Sequence, residues 1–190
     1  MQHLLRFLYA AVPVTLVCLL IYMAGQQVYR QSVNDPQVAM AQDAAARLNA
    51  GEAPAALVSR GTLLDISTSL SPWIAIYDST GLPLESSAQF DGAPPKPPQG
   101  VFDNAAWWAH GHSWQPREGV RFSIAVAPFS FGNLSGYVVA GRSMRLVEER
   151  IIKLGQMILV GWLAILGALL VVQLLYVFGG RITHSGARGG

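Results

Sequence analysis

Charge is the scarcest commodity in this sequence: 13% of its 190 residues are Asp, Glu, Lys or Arg, about half the usual share. The deficit is local, because no charged residue lies between Arg6 and Arg30 and none between Lys153 and Arg181. Cysteine is limited to Cys18, which excludes an internal disulfide and leaves the chain to fold on an ordinary hydrophobic core. Cys18 sits inside an apolar run after Val17, a poor setting for lipid attachment, and reads as a small apolar side chain. A serine-nucleophile elbow and a phosphate-binding glycine loop are also missing. The chain is therefore not read as an enzyme, and no cofactor is expected. His110-Gly111-His112 is the one histidine cluster; without nearby carboxylates or cysteines it reads as an exposed turn rather than a metal site.

The two uncharged gaps hold apolar stretches, Phe7 to Gly25 (19 residues) and Leu154 to Gly180 (27 residues). As helices they extend roughly 28 Å and 40 Å, against a hydrocarbon core of about 30 Å. Both are long enough to span. Pro13, Gln156 and Gln173 are tolerable within them, and Gly179-Gly180 can reach the interface. A cleaved signal peptide is the competing reading of the first, but the run is long for one and Tyr22-Met23-Ala24 is a poor cleavage site.

The short ends carry Arg6, Arg181 and Arg188 and no acid, whereas the region between the gaps holds 10 basic and all 11 acidic residues. Positive ends stay in the cytoplasm, so the central region is expected outside it. The expected organisation is a cytoplasmic start (1–6), a first span (7–25), an extracytoplasmic domain (26–153), a second span (154–180) and a cytoplasmic tail (181–190), in a bacterial inner membrane. Nucleic acid is not an expected partner, since the basic residues of the outer domain are interspersed with acids.

Within the outer domain, Asn34 as N-cap, Pro36 in the first turn and Gly51 as C-cap predict a helix. Val38, Ala41, Ala45 and Leu48 share its apolar face, and a break from the first span is expected near Pro36. A short helical piece is expected around Ala55 to Val58. A strand at Trp73–Tyr77, a turn at Asp78-Ser79-Thr80-Gly81 and a strand near Pro83–Ser87 form a hairpin. Gly92 to Gly100, with four prolines, is a loop. A short helix is expected over Val101–Ala109. Strands follow at His112–Arg117, Val120–Pro128 and Gly136–Gly141. In the middle one, Phe122, Ile124 and Val126 alternate with Arg121, Ser123 and Ala125, giving one core face and one face for a second layer. The order argues for an α+β fold with an antiparallel sheet and flanking helices, inserted between two transmembrane helices.

Arg142 to Lys153 reads as an exit helix, with Arg145/Glu149 and Glu149/Lys153 at i,i+4 spacing. Met144, Val147, Ile151, Leu154 and Ile158 form a heptad stripe entering the second span. The stripe serves either as a homodimer seam or as packing against the chain's own first helix.

Two stretches resemble the extracytoplasmic PAS-like or Cache-like domains of bacterial two-component sensor histidine kinases. One is Ile76-Tyr77-Asp78-Ser79-Thr80-Gly81 with Leu84-Glu85-Ser86-Ser87. The other is Gly136-Tyr137-Val138-Val139-Ala140-Gly141-Arg142-Ser143 leading to Val147-Glu148-Glu149-Arg150. The resemblance covers roughly residues 1 to 180 and implies a signal-input protein. Such receptors continue into a kinase or other output module, which this chain lacks; a truncated receptor and a sensor with a separate output partner are both consistent with that. The resemblance also implies a ligand site between the sheet and the segment covering it. Trp107, Trp108, Trp114, Arg117 and Arg121, with Tyr77 from the first hairpin, are the candidate lining. Aromatic walls with arginines suit a small molecule, a carboxylate in particular. The competing reading has the tryptophans filling a core and the arginines solvated. Met144, Val147, Ile151 and Leu154 are the expected signal-transmission residues. A membrane adaptor that binds another envelope protein is the alternative function.

Overall fold

The computed structural model describes the backbone of residues 2–58 and 61–186, and side chains over 5–58 and 61–177. It divides into two compact units, one holding the chain up to Gln27 and from Arg150, the other Val28–Glu149.

Two long helices run through these units, α1 (Gln2–Asn49) and α5 (Arg145–Gly186). Each is long and apolar enough to cross a membrane, over Leu5–Asn49 and Arg145–Val177. In the first unit the helices pair antiparallel, since partners on one run in reverse order on the other. The Arg6 guanidinium lies 5.7 Å from the Tyr176 ring. Trp162 Nε1 donates to Thr15 Oγ1 at 2.9 Å, and that hydroxyl donates back to Ala11 O. Gly155 faces Tyr22, and Leu154 packs on Gly25 where a Cβ would collide with it. The stripe expected to serve either a dimer or the chain's own helix is thus intramolecular at Leu154. Arg181 has described backbone only, and Arg188 lies outside the described residues.

The second unit is α+β. Its strands are β1 (Leu64–Asp65), β2 (Trp73–Asp78), β3 (Pro83–Ser86), β4 (Ala88–Gln89), β5 (His112–Arg117), β6 (Val120–Phe131) and β7 (Leu134–Ser143). Short helices join them, α2 (Pro54–Leu57), α3 (Gln99–Asp103) and α4 (Ala105–Trp108). Five strands form an antiparallel sheet in the order β3-β2-β7-β6-β5, while β1 and β4 form a separate parallel pair. The first strand of the sheet therefore lies beside the last, and β7 is central. Asp78 closes the first hairpin: its Oδ1 accepts from Thr80 N, Thr80 Oγ1 and Leu82 N at 2.7–2.9 Å.

Alternation sends successive side chains of β6 and β7 to opposite faces. One face meets α1: Ala41, Ala44, Ala45 and Leu48 pack on Ile74, Ile76, Ala125, Ala127, Phe129, Val138 and Ala140. Alanines bring the helix backbone close to the strands. The opposite face is aromatic: Trp73, Tyr77, Trp114 and Phe122 pack with Ile124, Val126 and Val139 beneath Val101 and Phe102 of α3.

Several expectations are corrected. No helix break occurs at Pro36, and Asn34 is not an N-cap, because α1 is continuous from Gln2 to Asn49. The proline loses the bond its missing N–H would give Ser32 O and crowds that carbonyl. The helix is held nonetheless by Asn34, bonded to Gly111 and Ser123, and by the packing of Ala41 to Leu48 on the sheet. Its end is as expected: Gly51 at φ +92° closes a Schellman motif, with Gly51 N to Leu48 O at 2.9 Å and Glu52 N to Arg47 O at 3.1 Å. The helix over Val101–Ala109 is two short ones divided at Asn104. The last two strands run to a two-residue turn at Gly132-Asn133, longer than expected. Glu149 pairs with neither Arg145 nor Lys153 among the described residues; Arg121 pairs with Glu148 at 3.4 Å, and Arg145 Nη2 donates to Ser67 O at 3.1 Å.

Candidate functional site

The sheet distributes the candidate residues rather than gathering them. Tyr77, on β2, is fully buried on the aromatic face; its hydroxyl donates to Pro95 O at 2.5 Å, and its ring tilts against Phe102 with centroids 5.0 Å apart. Burial pushes the Tyr77 phenol well above its ordinary value, so it stays a neutral donor. Trp114, on β5, is buried on the same face, 5.8 Å from Phe122. Trp107 and Trp108, on α4, meet at His112: Trp107 stacks on the imidazole at 4.3 Å and 10°, and Trp108 meets it edge-on at 5.6 Å.

Neither arginine joins these rings. Arg117, at the end of β5, lies 5.3 Å from the Phe90 ring and 3.4 Å from Asp91. Arg121 has the register of Ser123 and Ala125, which belong to the α1 face, and pairs with Glu148. Both ion pairs are exposed at 3.4 Å and leave the guanidiniums largely solvated. Near Arg117, Asp65 accepts from the Ser67 hydroxyl and amide, which hold its carboxyl below the usual range.

Among the described residues, three buried polar atoms make no hydrogen bond: Trp73 Nε1, His112 Nε2 and Gln37 Oε1. Trp73 and His112 lie in one row across the aromatic face, through the register Trp73–Gly141–Ile124–His112. The Trp73 indole lies flat over Gly141, where a Cβ would fall 2.3 Å from the ring. A buried group without a partner costs about 1–3 kcal/mol, so these nitrogens are the strongest polar candidates on that face. Neither is legible before folding, since each reads as one more core aromatic or turn residue. Gln37 lies on the opposite face, on α1 beside Asn34. Both polar atoms of Asn34 are engaged: Nδ2 donates to Gly111 O at 3.1 Å, and Ser123 Oγ donates to Oδ1 at 2.7 Å.

The transmission residues divide between the units. Met144 and Val147 are buried. Met144 N donates to Arg121 O at 2.9 Å, and its sulfur accepts from Ser113 Oγ at 3.3 Å. Ile151 and Leu154 are half-buried in the helix pair. A cavity of about 460 Å³ opens between those helices, lined by Thr15, Cys18, Tyr22, Gly155 and Trp162 among others. Among the described residues, no group of three or more His, Cys, Asp or Glu is placed to hold a metal ion.

Comparison with protein-family models, curated proteins and solved structures gives no match. The functional reading rests on geometry.

Proposed function

We propose that the chain is a two-pass membrane signal-input protein whose α+β unit is an extracytoplasmic PAS-like or Cache-like domain in a bacterial inner membrane. The observation that carries this reading is the junction of β7 and α5. The central strand of the sheet ends at Ser143, Met144 alone intervenes, and α5 starts at Arg145 and continues unbroken into its apolar stretch. A rearrangement of the sheet thereby acts directly on that helix. The lever works only if two arrangements are close in free energy and a ligand prefers one.

Under this reading a small molecule enters the aromatic face, where one acceptor group meets Trp73 Nε1, and His112 Nε2 lies further along the same row. A carboxylate supplies such acceptors. The output is taken by a kinase or other output module, in the same polypeptide or in a partner, and the active form is a homodimer.

The test uses the full chain in nanodiscs, titrated with a panel of small carboxylates. A ligand at a hundred times its Kd raises unfolding free energy by about 2.7 kcal/mol, visible as a thermal shift that Trp73→Phe abolishes. The absence of any shift, with one stoichiometric envelope protein recovered by crosslinking, establishes the adaptor reading instead. One feature favours that second reading: β3 is an edge of the sheet, carries exposed Leu84 and follows exposed Leu82, a surface suited to strand addition.

A further inference from the structure

Residues 92–100 hold four prolines, Pro94, Pro95, Pro97 and Pro98. None of them has an N–H to give, and each holds the residue before it extended. The segment therefore cannot join the sheet as an inner strand. It is not a solvated loop either, because Pro95 and Pro97 are buried.

Two ties fix its course across the sheet unit. Arg117, at the end of β5, carries its guanidinium 5.3 Å from the Phe90 ring and meets Asp91 at 3.4 Å. On β2, the Tyr77 hydroxyl donates to Pro95 O at 2.5 Å. In the sheet order, β7 and β6 lie between β2 and β5. The chain from Phe90 to Pro95 thus passes over β6 and β7, on the face that holds Tyr77, Trp114 and Phe122. It is a strap over the aromatic rings.

The ends of the strap are held better than its middle. Asp91 and Gly92, at φ +52° and +82°, form a tight turn closed by Phe90 N to Ala93 O at 2.7 Å and Ala93 N to Phe90 O at 3.2 Å. Past the strap, Phe102 of α3 is wedged against Tyr77 and Tyr137, at 5.0 Å and 5.3 Å between ring centroids. Between these ends, the Tyr77 hydroxyl makes the one hydrogen bond from sheet to strap among the described residues. A segment with a single polar tie opens at lower cost than the paired strands beneath it. Trp73 Nε1 and His112 Nε2 are buried, so a ligand reaches them only when part of the cover moves.

We propose that residues 94–98 are a gate over the aromatic face, with the Tyr77 hydroxyl as its catch and Arg117 as the clasp on its turn. This rests on the reading that a small molecule binds that face. The gate opens about the Asp91-Gly92 turn and uncovers the rings while β2, β7 and β6 stay paired.

The test uses two neighbours on β7. Val138 and Val139 are both fully buried, Val138 towards α1 and Val139 towards the aromatic cover. Val138→Cys and Val139→Cys, each in the full chain with Cys18→Ser, are placed in nanodiscs without ligand and labelled with iodoacetamide. The labelling rate reports how often each face opens. Position 139 is expected to label at least about tenfold faster than position 138. Tyr77→Phe keeps the ring and removes the catch, leaving Pro95 O without its donor. It is expected to speed labelling at 139 by roughly five- to a hundredfold and leave 138 unchanged. Arg117→Gln, at an exposed ion pair outside the core, is expected to speed it by about two- to fivefold. Equal rates at 138 and 139 overturn the gate, as does Tyr77→Phe acting alike on both positions. If 139 opens by itself while no carboxylate shifts the melting curve, the gate stands and the ligand reading falls.

Discussion

The two faces of the sheet are built on opposite plans. The α1 face is rich in small side chains, Ala41, Ala44, Ala45, Ala125, Ala127 and Ala140, set among Ile74, Ile76, Val138, Leu48 and Phe129. The other face is made of large ones, Trp73, Tyr77, Trp114 and Phe122, under a lid of short helices and loop. A small-residue face gains stability from close backbone approach and has little side chain to lose. A large-residue face holds its stability in the rings and keeps the polar atoms it fails to satisfy. The first plan suits a rigid attachment of helix to sheet; the second suits a surface that a ligand can rearrange.

Truncation and enlargement should therefore have opposite rankings on the two faces. Phe122→Ala, which removes a ring 1% exposed between Trp73 and Trp114, is expected to cost about 3–5 kcal/mol, measured by denaturant unfolding of the purified chain. On the α1 face the damaging change is growth. Ala45→Leu, at a position 4% exposed, is expected to cost about 1–3 kcal/mol by overpacking. If Ala45→Leu proves neutral, α1 is not close-packed on the sheet and the contrast fails.

The polar residues of α1 refine the comparison. Asn34→Ala strands the Ser123 hydroxyl, which is fully buried, and is expected to cost about 1–3 kcal/mol. Three residues on, Gln37→Leu should do the reverse, adding about 1 kcal/mol by removing a buried carbonyl oxygen that has no donor. Opposite signs from two neighbouring carboxamides would be read in the same thermal melts.

The smallest effect expected is one of pH. The Thr80 hydroxyl, with the amides of Leu82 and Thr80, holds the Asp78 carboxyl below its ordinary 3.8. A depressed carboxyl stabilises the fold fully above its unfolded value, and the contribution is lost as pH falls below 3.8 through the lower folded value. Comparing the protein with Asp78→Asn across that range should show the stability difference shrinking towards acid. A difference that stays flat would mean the turn does not depend on the charge.

Much of this architecture is legible before any coordinates. Asp78 to Gly81 marks its hairpin through turn chemistry, and the alternation through Phe122, Ile124 and Val126 assigns both faces of β6. Other features are not, because long-range contacts override local signals. Asn34 looks like a helix start, and becomes an interior position once Gly111 and Ser123 take up its amide. Glu149 looks paired along its own helix, but Arg121 reaches Glu148 from a strand. The parallel pair of β1 and β4 is two residues long and carries no periodicity. Of the candidate site, the aromatic residues are legible and their division between core and surface is not. Only the fold reveals that Trp73 and His112 share a row with unpaired nitrogens.

The most direct measurement is one of sidedness. Leu82→Cys in a Cys18→Ser background places one thiol on an exposed turn of the sheet unit. Intact cells treated with a membrane-impermeant maleimide should label that thiol as fully as lysed cells do. Labelling that appears only after lysis would place the sheet in the cytoplasm, and with it would go the proposal that this unit receives signals from outside.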